Sequence, residues 1–196
     1  MEAAYENCLV LGDSFIKRLH EYYCNRFHRG YFWVHGAPVN VWGRSGAVIS
    51  DVGADAIDVA SGYYSVVVLA FGSNDLCNGC TPDHVADDLI QMAYFLLRFR
   101  SVSRVVIFPL LRRTTANIHF RITLQEFNCR VHHVNDILKA RCTGGNAVFW
   151  KHDHRVQRKI ADDGTHLNSI GMKHFHDSVY RALWSQLQIV LRIVQT

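Results

Sequence analysis

Long apolar runs are missing from this chain. A membrane-spanning helix needs about 18 consecutive apolar residues, and the nearest approach, Leu187 to Val194, is interrupted by Arg192. No membrane span is therefore expected. No secretory leader is expected either, because Met1-Glu2-Ala3-Ala4-Tyr5-Glu6-Asn7 is acidic and polar where such a leader would be basic and then apolar. The expected location is cytoplasmic. Lys and Arg are scattered, with no more than two adjoining and a net charge of only +4, so the dense basic stripe of a nucleic-acid binder is absent. Nucleic acid is a weak partner candidate. Proline is scarce, with 3 in 196 residues, and no Pro/Gly linker, repeat or low-complexity tract divides the chain. Residues 1–196 are read as one domain.

What is present is a folding sequence. The composition, 49% hydrophobic and 19% charged, is that of a globular domain and too apolar for a disordered one. The six cysteines read as reduced thiols in a chain of this size. Cys77-Asn78-Gly79-Cys80 has metal-ligand spacing, yet nothing at suitable spacing supplies two further ligands, so no metal is expected.

Short apolar β-rich runs alternate with longer segments of helical period, the mark of an α/β domain with a parallel sheet. Five strands are expected, at Cys8 to Leu11, Val39 to Trp42, Ser65 to Phe71, Arg104 to Leu110 and Ala147 to Trp150. Helices are expected over Phe15 to Phe27, Ile49 to Ala60, a segment from Thr81 through Leu97, Phe120 to Ala140, and a final one carrying Phe175, Val179, Leu183, Leu187 and Leu191. The third opens with Thr81 as N-cap, Pro82 at the first helical position and Asp83 in the first turn. Right-handed crossovers stack such units into a three-layer α/β/α sandwich around a five-stranded parallel sheet. Ligands are expected at the carboxyl ends of its strands.

Four polar turns lie at those ends or at helix starts. Gly12-Asp13-Ser14 follows the first strand and delivers Ser14 to a helix start, where N–H groups face a developing oxyanion. Ser14 is there a nucleophile or simply a helix cap. Gly43-Arg44-Ser45-Gly46-Ala47 follows the second strand and offers a glycine N–H as an oxyanion donor or is an ordinary loop. Ser45 is a rival nucleophile, but the Gly-x-Ser-x-Gly elbow is not met. Gly72-Ser73-Asn74-Asp75 follows the third and offers the Asn74 amide or is only a turn. Asp162-Asp163-Gly164-Thr165-His166 precedes the last helix and can present His166 as base and Asp163 as its orienting group.

The order Ser, Gly, Asn, Asp-x-x-His resembles the four blocks of the SGNH (GDSL-like) hydrolases, spread over nearly the whole chain. The resemblance implies a flavodoxin-like sheet of strand order 2-1-3-4-5, Ser14 as nucleophile, Asp163 and His166 as the other triad members, and Ser14, Gly46 and Asn74 as the oxyanion hole. Gly43 is a second match for the glycine. It implies a serine esterase acting on carboxylic esters, with small ester substrates and no organic cofactor or metal. The second block departs from the pattern, with Ala47 where Asp or Asn often follows the glycine. Trp42-Gly43-Arg44-Ser45-Gly46, Phe149-Trp150-Lys151-His152 and Asp163 to Asn168 resemble, more narrowly, SGNH esterase domains in first open reading frames of non-LTR retrotransposons.

Two rival classes remain beside the esterase. One is a catalytically silent module of the same fold that binds nucleic acid or lipid. The other is an interaction domain whose C-terminal helix forms a homo-oligomer.

Overall fold

The structure is a computed structural model that describes residues 7–27, 32–51, 64–99, 102–115 and 122–194. Strand β1 (Asn7–Gly12) leads into α1 (Ser14–Phe27), followed by β2 (Phe32–Val34), β3 (Ala37–Gly43) and β4 (Tyr64–Ala70). A short α2 (Ser73–Cys77) precedes α3 (Pro82–Phe99), β5 (Arg104–Ile107), α4 (Leu124–Arg141), β6 (Ala147–Phe149), α5 (His154–Gln157) and α6 (Ser169–Val194).

One sheet runs in the order β2-β3-β1-β4-β5-β6. Every pairing is parallel except β2 with β3. Strand alternation divides the apolar residues between two cores. Leu9, Leu11, Val67, Leu69, Val105 and Ile107 pack under α3 and α4, against Leu89, Ala93, Phe127 and Val134. Cys8, Val10, Val66, Val68 and Val106 face α1 and α6, against Ile16, Leu19, Phe175 and Leu183. Both faces are covered, which explains why the strands read as continuous apolar runs.

The five expected strands are all present in the parallel order anticipated, but the sheet has six strands. The addition, β2, lies antiparallel on the β3 edge and is only three residues long, with Trp33 exposed. Its two-residue turn holds His35 at φ 47° and Gly36 at φ 85°. Both central residues of that turn type need positive φ, which normally announces itself as Asn-Gly or Asp-Gly. Here the left-handed histidine stacks on Trp184, with ring centroids 3.4 Å apart.

The helix expected from Phe120 begins at Leu124, where Thr123 accepts from the Glu126 N–H. Of the helix expected over 49–60, only residues 49–51 fall among those described, and they are helical. Strand β5 stops at Ile107 rather than Leu110, just short of Pro109, which has no N–H to donate.

Candidate functional site

Strands β3, β1 and β4 are neighbours, so the loops that leave their carboxyl ends adjoin. Ser14 leaves β1, Gly46 follows β3 and Asn74 follows β4. The central turn is tight: a Cβ on Gly12 would collide with Ile16 and lie 2.9 Å from the Ala70 carbonyl.

Asp13, not Ser14, caps α1. Its side chain accepts from the Phe15 N–H at 3.0 Å, and its carbonyl accepts from Ile16 and Lys17. Ser14 takes the first helical position, and its hydroxyl is not consumed by capping. The Ser14 Oγ lies 2.9 Å from His166 Nε2.

His166 Nδ1 lies 2.8 Å from Asp163 Oδ2, while Asp163 Oδ1 accepts the N–H groups of Thr165 and His166 at 2.9 and 2.8 Å. Partial desolvation opposes ionisation of Asp163. The backbone donors of His166 and Thr165, aided by the His166 ring, prevail and hold its pKa at about 2. An ionised carboxylate only accepts, so Nδ1 carries the imidazole proton and Nε2 presents a lone pair to the serine hydroxyl. The loop is clamped from outside, with Thr114 N–H donating to the Gly164 carbonyl at 2.8 Å and the Thr115 hydroxyl to the Asp163 carbonyl at 3.0 Å. Gly164 sits at φ 68° with Thr115 against its Cα, so a side chain there would be both strained and obstructed.

On the opposite flank, Gly46 is exposed in a turn closed by the Ala47 N–H on the Arg44 carbonyl at 3.2 Å, at φ 76°. The Asn74 amide donates to the Ala47 carbonyl at 2.9 Å, leaving its second N–H for another acceptor. Ala47 supplies no side-chain hold, but acids elsewhere do. Asp75 accepts the Ile49 N–H at 3.1 Å, and Asp51 accepts the Val48 N–H at 3.1 Å while pairing with Arg44 at 2.6 Å. Gly43 has a different duty, because α1 crosses it so closely that a Cβ would meet the backbone of Ile16 and Lys17. Phe15, Leu76 and Leu167 are core residues, and Trp42 is half-buried beside Phe71.

Two charged groups escaped sequence reasoning. Burial pushes the Asp13 carboxyl up to about 7, against the pull of the Phe15 N–H and the Arg113 cation. Arg113 is itself buried, its guanidinium 4.6 Å from the centre of the Phe127 ring. Asn128 holds its backbone at both N–H and carbonyl, each at 2.9 Å.

The chain matches the model of the GDSL-like lipase/acylhydrolase family over residues 10–174. It belongs to that family. No curated protein sequence matches it. Among solved structures, this GDSL-like chain resembles a candidate acylhydrolase from Bacteroides fragilis at 14% identity and TM-score 0.74, covering 95% of this chain and 90% of that one. It resembles a carbohydrate acetylesterase family member from Sinorhizobium meliloti at 12% identity and TM-score 0.71, covering 93% and 99%. An acetylxylan esterase from Geobacillus stearothermophilus follows at 14% identity and TM-score 0.62, covering 90% and 93%. At such identities the shared property is the fold: an α/β sandwich with a mostly parallel sheet. Among the described residues of this GDSL-like domain, no helix is long and apolar enough to cross a membrane.

Proposed function

We propose that the protein is a serine esterase that hydrolyses carboxylic esters with short acyl groups, such as acetyl. The observation that carries this is the hydrogen-bonded line from Ser14 through His166 to Asp163, with its tautomer fixed by an ionised Asp163. Ser14 Oγ attacks the ester carbonyl as its proton passes to His166 Nε2, and Asp163 stabilises the resulting imidazolium. The backbone N–H groups of Ser14 and Gly46 and the Asn74 amide receive the oxyanion. His166 returns the proton to the departing alcohol. Water then enters, gives a proton to His166 and releases the acid from Ser14 by the same steps in reverse order.

Support for a short acyl group comes from the fold, which is that of enzymes described as acting on acetylated carbohydrates. The narrower likeness to retrotransposon esterase domains belongs to this reading, supported by the motifs named above. We extend the reading to self-association through α6, where Ile189, Leu191 and Ile193 are exposed in the last turns; sedimentation that does not change with concentration would refute this.

The test of the esterase is hydrolysis of p-nitrophenyl esters of rising acyl length by the wild type and Ser14→Ala, with both shown to be folded. The expected result is an acetyl preference and a loss of roughly 10³-fold or more in kcat on removing the hydroxyl. A folded wild type without activity, or a fully active Ser14→Ala, would discard the reading in favour of a binding module or another nucleophile.

A further inference from the structure

A second concavity lies at the β6 edge of the sheet, between α4 and the carboxyl end of β6. This open groove offers about 450 Å³, and Phe149 and Val131 form part of its wall. Three cations border it from three separate segments: Arg112 after β5, Lys139 on α4 and Lys151 after β6. All three are exposed, and among the described residues no ion pair engages any of them. The lone carboxylate on the rim, Asp136, is taken up by His132 at 3.0 Å.

Three positive charges facing one groove repel each other, and a bound anion relieves that repulsion. Arg141 pairs with Asp87, Arg155 with Asp153 and Arg130 with Glu126, whereas Arg112, Lys139 and Lys151 converge on one groove without such a partner among the described residues. We propose that it binds a small molecule bearing a phosphate group, its charge held by Arg112, Lys139 and Lys151 and its body against Phe149. A guanidinium fork and two ammonium groups suit the several oxygens of a phosphate, and three cations against one engaged carboxylate suit a charge near minus two. The residues that bear the charge are not those proposed to cleave the ester, so binding does not depend on hydrolysis.

The test is calorimetric titration of inorganic pyrophosphate at low ionic strength into the wild type and single charge-reversal variants. Saturable binding at one site is expected, weakened about tenfold or more by Lys139→Glu and by Lys151→Glu. Ser14→Ala is expected to bind like the wild type. Lys17→Glu makes the same change of net charge at an exposed position of α1 and is expected to leave affinity within about twofold. Absence of saturable binding overturns the proposal, as does a Lys17→Glu loss equal to that of Lys151→Glu, which would mean only a general attraction to a basic protein. A phosphate on a lipid surface is the other source of this chemistry. Binding to phosphatidic acid vesicles without binding to pyrophosphate also overturns the assignment to a small molecule.

Discussion

Ser14 is available for chemistry because its neighbour does the capping. In Gly12-Asp13-Ser14 either polar side chain is an acceptable N-cap, and sequence alone leaves both open. The structure gives that role to Asp13, whose side chain takes the Phe15 N–H, while the Ser14 hydroxyl meets His166. The adjacent acids Asp162 and Asp163 pose a similar choice. Only Asp163 combines a bond to the His166 ring with two backbone donors that lock its own orientation. On the esterase reading, Asp163→Ala is expected to lower kcat on p-nitrophenyl acetate by roughly 10³- to 10⁴-fold, while Asp162→Ala stays within about twofold of wild type, the usual span of a substitution outside the reacting set. Equal losses in the two variants would refute this division of labour.

Elements were legible where burial dictated their pattern. β1 and β4 are covered on both faces and appear as unbroken apolar runs, and the Thr81-Pro82-Asp83 start of α3 is local chemistry confined to a few residues. β2 was not legible, because three residues carry no period and its turn uses a histidine where glycine or asparagine would be the signal. The site divides in the same way. The residues proposed to react stand in short motifs, whereas the groups that hold those motifs are remote in sequence: Asp75 on Ile49, Asn128 on Arg113, Thr115 on Asp163. Asn135 likewise holds both the N–H and carbonyl of Leu110, one more partnership that no local pattern announces. The Asp75 hold can be tested. Asp75→Ala leaves the buried Ile49 N–H without its acceptor, with an expected stability loss of about 1 to 3 kcal/mol in urea unfolding. The loop bearing Gly46 loses an anchor in the same variant, so kcat is expected to fall as well. Unchanged stability would show that the bond contributes nothing net.

Across the whole molecule, two buried groups push stability in opposite directions as pH changes. His152 lies in the core beside Phe108 and Phe175. Trp150 donates to the Ser178 hydroxyl at 2.9 Å, and the same oxygen lies 2.8 Å from His152 Nδ1. Nε2 is buried without a hydrogen-bond partner among the described residues. Burial, with a lesser contribution from the Arg181 charge, lowers the His152 pKa to about 3. The unfolded chain therefore takes up a proton near pH 6.5 that the folded chain refuses until about 3, and stability falls with decreasing pH across that window. Asp13 has the reverse sign. Its folded pKa of about 7 exceeds the ordinary 3.8, so its contribution is complete below the lower value and is lost as pH rises toward the higher. The two slopes oppose each other between about pH 4 and 6.5, each approaching 1.4 kcal/mol per pH unit for a fully unmatched proton. Single substitutions separate them. The stability of His152→Leu relative to wild type is expected to improve by about 1 kcal/mol for each unit of acidification below pH 6, even if lost packing makes it less stable at neutral pH. Asp13→Asn, which keeps an acceptor for the Phe15 N–H, is expected to gain on wild type as pH rises from 4 to 7. Urea midpoints measured at pH 4.5, 5.5, 6.5 and 7.5 read both trends, and a difference from wild type that stays constant with pH in either variant would show that its group titrates alike in the folded and unfolded chain.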